Sequence, residues 1–330
     1  MINNEFLKDK RILITGISGY LGSNLLHELL KYDVHSIRGV SRNESKLSEL
    51  QEKVTDDRVR LYIGDIRDKS RMQKAVEGVD VIYHCAALKH ISLCERNTFE
   101  ATQTNILGSQ NLIDLAISNE VKQFISVDSD KSCNSINYYG STKKIMRQLT
   151  INANFIKGNH ETRFGCVRWG NILNSSMSVL PKWKESINKT NSIKITNPLM
   201  TRFNLCIEDV IKFMLNHQET MVGGEIFIPN MKSYILKDLA DAAIHKYGNN
   251  DTKIIEIGNI GYEKLHEELL DTSEGERTYI LNDKGYVVLP ENVLLKEFGL
   301  KYDYKNKANI NKYLSCDAEK LTIQELEEMI

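Results

Sequence analysis

The feature that most limits what this chain can become is a glycine-rich turn near its start, Thr15-Gly16-Ile17-Ser18-Gly19-Tyr20-Leu21-Gly22. An apolar run, Arg11–Thr15, precedes it, and an amphipathic run, Tyr20–Lys31, follows. That order predicts strand, tight turn and helix. Glycine tolerates left-handed backbone and lets the main chain approach a ligand closely. A helix opening at such a turn offers free N–H groups and the positive end of its dipole, which suit a phosphate. The GxxGxxG spacing after a first strand therefore reads as a dinucleotide pyrophosphate cradle. Its expected contacts are Thr15, Gly16, Ser18, Gly19, Tyr20, Leu21 and Gly22.

Strand-like runs recur at Ser36–Val40, Arg58–Ile63, Val79–His84, Gln123–Val127 and Phe164–Arg168, with helical patterns between them. Glu225–Pro229 reads as a late strand returning to the same sheet. This alternation predicts an α/β fold, a Rossmann-like doubly wound parallel sheet covered by helices on both faces. A smaller, discontinuous substrate lobe accompanies it. Residues 1–173 and about 203–230 are assigned to the dinucleotide-binding domain, and about 174–202 and 231–330 to the substrate lobe.

Composition bounds the partners. Forty-three basic and 44 acidic residues leave a net charge of −1. No basic surplus points to nucleic acid or an anionic membrane. No stretch approaches the ~18 uninterrupted apolar residues of a membrane span. The N-terminal text, MINNEFLKDKRILITG, lacks the apolar core of a signal peptide. Six cysteines form no CxxC pattern, and no HExxH occurs. Reduced thiols in a cytoplasmic protein and no metal site are expected.

The end of the second strand bears on the cofactor. A carboxylate there would hold the adenosine ribose hydroxyl of NAD, but the text is Gly39-Val40-Ser41-Arg42-Asn43. Ser41 and Arg42 suit a 2′-phosphate, which favours NADP over NAD. After the third strand, Asp65 is either an acceptor for the adenine amino group or a plain turn aspartate, and Ile66 is placed beside it at the cofactor. A second signal is Tyr139-Gly140-Ser141-Thr142-Lys143. Residues i and i+4 share a helix face. A lysine beside a phenol would favour phenolate, which can take a proton from a substrate hydroxyl.

The glycine turn and YxxxK together resemble the extended short-chain dehydrogenases/reductases. The resemblance is closer still to the inverting UDP-N-acetylglucosamine 4,6-dehydratases of pseudaminic acid and surface polysaccharide biosynthesis. It is carried by Ala86-Ala87-Leu88-Lys89-His90, Ser129-Asp130-Lys131, Asn137 to Lys143, Arg168-Trp169-Gly170-Asn171, Met200-Thr201-Arg202-Phe203, Gly223 to Pro229 and Glu263 to Leu269, in family order. The resemblance implies a UDP-sugar substrate, a homo-oligomer, and Asp130, Lys131, Tyr139 and Lys143 as catalytic residues. Lys131 would remove H5 and Asp130 would protonate the leaving C6 hydroxyl. Burial and Lys143 are expected to lower the Lys131 pKa, with Asp130 pulling the other way.

Cofactor contacts are further expected from Ala86, Ala87, Lys89, Asn105, Tyr139 and Lys143. Substrate contacts are expected from Lys89, Ser129, Asn171, Arg202 and Lys264. For Lys89, Asn171 and Arg202 a structural role is a close rival. His90, His266 and Trp169 read as packing residues, and Glu267 as a structural helix carboxylate.

Two stretches depart from the family. Asn174, Ser176 and Met177 replace two glycines and an arginine, and the segment Ile257 to Lys264 lacks an arginine and a proline. Such arginines commonly hold the nucleotide diphosphate, which leaves Lys264 or Arg202 as the available cations. Asp128 stands where the family usually has serine, and is expected to raise the pKa of a neighbouring acid. An epimerase, a dehydratase acting on another nucleotide sugar, and a non-catalytic nucleotide-binding regulator are the competing readings.

Overall fold

The structure, a computed structural model, describes residues 4–173, 179–259, 261–291 and 301–330. The expected lobe boundary at Asn174 and the departures at Asn174, Ser176 and Met177 lie outside the described residues. Strand β1 (Arg11–Thr15) places three fully buried side chains in a row, Ile12, Leu13 and Ile14. Ile12 and Ile14 join one apolar cluster and Leu13 joins another. The strand is therefore covered on both faces, as a parallel sheet requires. Burying each such side chain contributes about 1.5–3 kcal/mol.

Strands β2 (Ser36–Ser41), β3 (Val59–Ile63), β4 (Val81–His84), β5 (Gln123–Ser129) and β6 (Arg163–Trp169) follow close to the predicted runs. Later strands are β7 (Ser192–Ile195), β8 (Thr201–Asn204), β9 (Ile226–Ile228), β10 (Lys232–Ile235), β11 (Lys253–Glu256), β12 (Glu268–Leu270), β13 (Thr278–Ile280), β14 (Tyr286–Val288) and β15 (Tyr313–Leu314). The main sheet has the order β13-β14-β9-β6-β5-β4-β1-β2-β3. From β3 to β9 all neighbours are parallel. The chain runs outward from β1 to β3, then returns to β4 on the other side of β1. That reversal opens a crevice at the carboxyl ends of the strands.

One assignment is corrected at the far edge. Residues 278–288 fall within the stretch given to the smaller lobe, yet β14 pairs antiparallel with β9, and β13 with β14. The edge of β9 would otherwise present unpaired N–H and C=O groups. The backbone of β14 pairs with that edge, and Val287 and Val288, both fully buried, pack into the core.

A separate apolar cluster builds the smaller lobe. Leu180, Trp183 and Ile187 from helix Val179–Thr190 meet Leu239 and Ala243 from helix Leu236–Tyr247, with Leu326 from helix Ile323–Met329. Two-stranded pairs β7–β11, β8–β10 and β12–β15 link this lobe to the mouth of the crevice.

Candidate active site

A cleft of about 980 Å³ runs along the carboxyl ends of the strands, from the glycine turn to β8. Its first half is built from backbone. Gly16 has φ 71°, and a Cβ there would lie 2.9 Å from the Ala86 main chain, so only glycine lets the turn cross β4 this closely. Gly19 caps helix Tyr20–Leu29 with no side-chain hydrogen bond. The first N–H groups of that helix thus lack a side-chain acceptor, and Tyr20, Leu21 and Gly22 line the cleft. Ser18 and Ser41 are joined through their hydroxyls at 2.6 Å. Arg42, Lys46 and Lys89 add three cations to the same wall, with Ile66, Ala86 and Ala87 beside them. Partial burial and the nearby Lys46 lower the Lys89 pKa. Free amides, a turn open to close approach and clustered cations form a donor set that fits a dinucleotide phosphate chain.

Five residues expected at the site stand behind the cleft wall instead: Asp130, fully buried beneath Lys131, and four others. Thr15 Oγ1 meets His84 Nδ1 at 2.8 Å and accepts from the Ala86 N–H, tying β1 to β4. Asp65 is committed to Arg67 at 2.7 Å, with Arg42 at 3.5 Å. Asn105 bonds both the N–H and the carbonyl of Leu88, fixing the loop that carries Lys89. Lys264 donates to the Cys133 carbonyl rather than reaching toward a diphosphate.

The second half is built from side chains. β5 ends in the turn Asp130–Ser132, and helix Tyr138–Ile156 starts against it. Asn137 caps that helix by accepting from Gly140 N at 2.8 Å. A Cβ at Gly140 would lie 2.0 Å from the Lys131 carbonyl, so glycine permits the contact that sets Tyr139 beside Lys131. Lys131 Nζ donates to Asp130 Oδ1 at 2.9 Å and to Asn171 Oδ1 at 3.1 Å. Ser129 Oγ donates to the same Asp130 oxygen at 3.0 Å. The other Asp130 oxygen is buried without a partner. Ser129, Lys131, Tyr139, Lys143, Asn171 and Arg202 all line the cleft, and Trp169 and Tyr234 close around them.

Three electrostatic expectations change. Burial opposes charge on Lys131, but Asp130 and Glu267 together raise its pKa above the ordinary ammonium range. Burial pushes the Tyr139 phenol up to about 12, and the opposing cation is Lys131, not Lys143. Lys143 donates to Met146 Sδ at 3.3 Å, and its own pKa is lowered by burial. The i, i+4 spacing brings both side chains to one wall, but the lysine stem extends along the helix. Third, Asp128 is not a free neighbour of Asp130. It accepts from Ser132 at 3.0 Å, Arg147 at 3.1 Å and Arg168 at 2.9 Å. Arg168 continues to Glu274 at 2.7 Å and to the Leu269 carbonyl at 2.8 Å. Two carboxylates and two guanidiniums thus balance beneath the Asp130–Lys131 turn and lock it to β12.

Glu267 is the residue the sequence misjudged. It lies in extended chain just before β12, not on a helix, and is 3% exposed. Its Oε1 is 3.7 Å from Lys131 Nζ and 3.9 Å from Arg202 Nε. Arg202 also lies 3.7 Å from Glu263 and donates to the Thr201 carbonyl at 2.8 Å. Nothing local marks Glu267, because 136 residues separate it from Lys131 in the chain. Among the described residues, no group of three or more His, Cys, Asp or Glu is placed to hold a metal, and no helix is long and apolar enough to cross a membrane.

A crossover parallel sheet with a phosphate cradle at its switch point and a YxxxK helix beside it defines the extended short-chain dehydrogenase/reductase class. Within it, the chain belongs to the polysaccharide biosynthesis protein family, which it matches over residues 12–288. It is 42% identical to an inverting UDP-N-acetylglucosamine 4,6-dehydratase of Campylobacter jejuni over 82% of this chain and 80% of that protein. It is 30% identical to a UDP-glucose 4-epimerase of Rickettsia rickettsii over 98% of this chain and 95% of that one. Among solved structures, Pen from Bacillus thuringiensis superimposes with a TM-score of 0.91 at 33% identity, covering 98% of both chains.

Proposed function

We propose that this chain is an NADP-dependent UDP-N-acetylglucosamine 4,6-dehydratase that inverts C5. Its product would be UDP-2-acetamido-2,6-dideoxy-β-L-arabino-hex-4-ulose, a precursor for surface polysaccharide. The observation that carries the reading is the Asp130–Lys131 pair beside Tyr139, at the other end of the cleft that begins at the glycine turn. A cytoplasmic homo-oligomer without nucleic acid or membrane partners belongs to the same proposal.

The chemistry explains why such a pair is needed. H5 of a hexose is not acidic until C4 becomes a ketone. Bound NADP supplies the oxidant for C4 and the reductant for C6, and ends the cycle unchanged. Tyr139 takes the proton of the C4 hydroxyl, with Ser129 at hand to bond the C4 oxygen. Moving one proton from Lys131 Nζ to Asp130 Oδ1, 2.9 Å apart, turns the ion pair into a free amine and a neutral acid. The amine removes H5, the acid protonates the C6 hydroxyl, and water leaves. Elimination thereby restores the ammonium–carboxylate pair. The burial of Asp130 keeps water from competing for these protons. Arg202 and Lys89 line the cleft as cations for the substrate diphosphate, and Lys264 is turned away to the Cys133 carbonyl.

The epimerase reading needs no acid/base pair beside Tyr139, and rests on the 30% identical relative. Incubating the purified chain with UDP-, dTDP- and GDP-sugars and following products by proton NMR separates the two. The dehydratase converts UDP-N-acetylglucosamine to a product with a C6 methyl signal. Epimerised product without a methyl signal would overturn this reading.

A further inference from the structure

Glu267 is a buried acid that the proposed reaction does not use. Its Oε1 lies 3.7 Å from the Lys131 ammonium, and its Oε2 is buried without a hydrogen-bond partner. Like Asp130, it is buried just behind the cleft lining, and Lys131 stands on the lining in contact with both. Its backbone is pinned: the Glu267 N–H donates to Ser315 Oγ at 2.9 Å and its carbonyl accepts from Ser315 N at 2.9 Å. The chain therefore holds this carboxylate at a fixed distance from Lys131 rather than letting it swing to solvent.

We propose that Glu267 is a positioning residue that sets the proton affinity of Lys131 and so how readily Lys131 passes its proton to Asp130. This inference rests on the dehydratase reading and extends it. Three charged elements face the site. The turn contributes Asp130 and Lys131, β8 contributes Arg202, and the 261–267 segment contributes Glu263, Lys264 and Glu267 itself. Tyr139 faces Lys131 from the helix. Asp130 must carry a proton when the C6 hydroxyl leaves, so it cannot also be the permanent counter-charge of Lys131. Glu267 is the second carboxylate within ion-pair range. Arg202 offsets part of its charge from 3.9 Å. While Glu267 is ionised, it holds the proton on Lys131. Once it is neutral, Lys131 faces Asp130 alone and passing the proton across that pair costs less. Burial, opposed by Lys131, raises the pKa of Glu267 above the ordinary carboxylate value.

The test is the pH profile of kcat/KM for UDP-N-acetylglucosamine in the full chain with NADP, for wild type, Glu267→Gln and Glu267→Asp. Asp130 and Lys131 share one proton in the working state, so activity rises through an acid limb where the pair loses a second proton. Removing the nearby Glu267 charge lowers the proton affinity of the pair and moves that limb down by about 1 pH unit or more. Glu267→Gln should then be faster than wild type on the acid side, by up to about tenfold for each pH unit the limb moves. Glu267→Asp draws the carboxylate back and should give a smaller downward displacement. A residue with a merely structural role would lower the whole profile without moving the limb, and that result in either variant overturns the inference. A wild-type chain that makes no dehydrated product refutes the proposed function instead.

Discussion

The two halves of the cleft are made in different ways. The dinucleotide half is main chain: one turn, one helix start and the ends of adjacent strands, contributed by consecutive stretches such as Thr15 to Gly22 and Cys85 to Lys89. The acid/base half is side chain, gathered from Asp130–Lys131, Tyr139, Asn171, Arg202 and Glu267. Backbone amides cannot be mutated away and need only glycine at the close approach. The side-chain half depends on a buried charge network to hold a lysine against two carboxylates. Damage to the first half should cost binding, and damage to the second should cost chemistry or stability.

The largest effect that would sharpen this contrast is at Lys131. Lys131→Ala removes the proposed base, and turnover should fall by about a hundredfold to ten-thousandfold. Cofactor binding, followed by fluorescence titration, should be unchanged. Retained turnover would mean the corner is not where H5 leaves.

Next comes the support beneath it. Arg168→Met removes one of the two guanidiniums that balance Asp128 and Glu274, both buried, and leaves Arg147 alone against two carboxylates. Breaking a buried pair by removing one partner destabilises by about 3–5 kcal/mol. Urea unfolding would measure it, and a loss under about 1 kcal/mol would show that the network is dispensable.

The same network predicts an acid limit. Burial alone would raise Glu274, but Arg168 and Arg147 hold it at about 2, against an ordinary 4.5. A depressed carboxyl stabilises the fold above its unfolded value, and that contribution fades as pH falls from about 4.5 through 2. Melting temperature should drop across this window. Glu274→Gln starts lower at neutral pH and should show a shallower drop.

The smallest effect lies in the dinucleotide half. Arg42→Ala should weaken NADP about tenfold, roughly 1.4 kcal/mol, and NAD little, read by titration with each cofactor. An equal loss for both would assign Arg42 to the shared diphosphate rather than the 2′-phosphate.

Legibility followed the same division. β1 to β6, the glycine turn and the YxxxK helix were readable because each is a contiguous pattern whose period or spacing carries its physics. Asp130 and Lys131 were readable as neighbours in the chain. Glu267 was not, because its role comes from a tertiary contact across the 130 turn and β12. Lys264 looked like a diphosphate ligand by charge alone, and the backbone of Cys133 claims it. Asp128 looked like a perturbing acid, and Arg147 and Arg168 neutralise it. Strands β13 and β14 are too short, at three residues each, to announce which sheet they join.

The proposed reaction requires this corner to remove and replace the proton at C5. Running the reaction on UDP-N-acetylglucosamine in D2O and reading the product by NMR measures that directly. The expected product carries one deuterium at C5, in a sugar of inverted C5 configuration, with a methyl group at C6. A product that keeps its original hydrogen at C5 would contradict the proposed reaction.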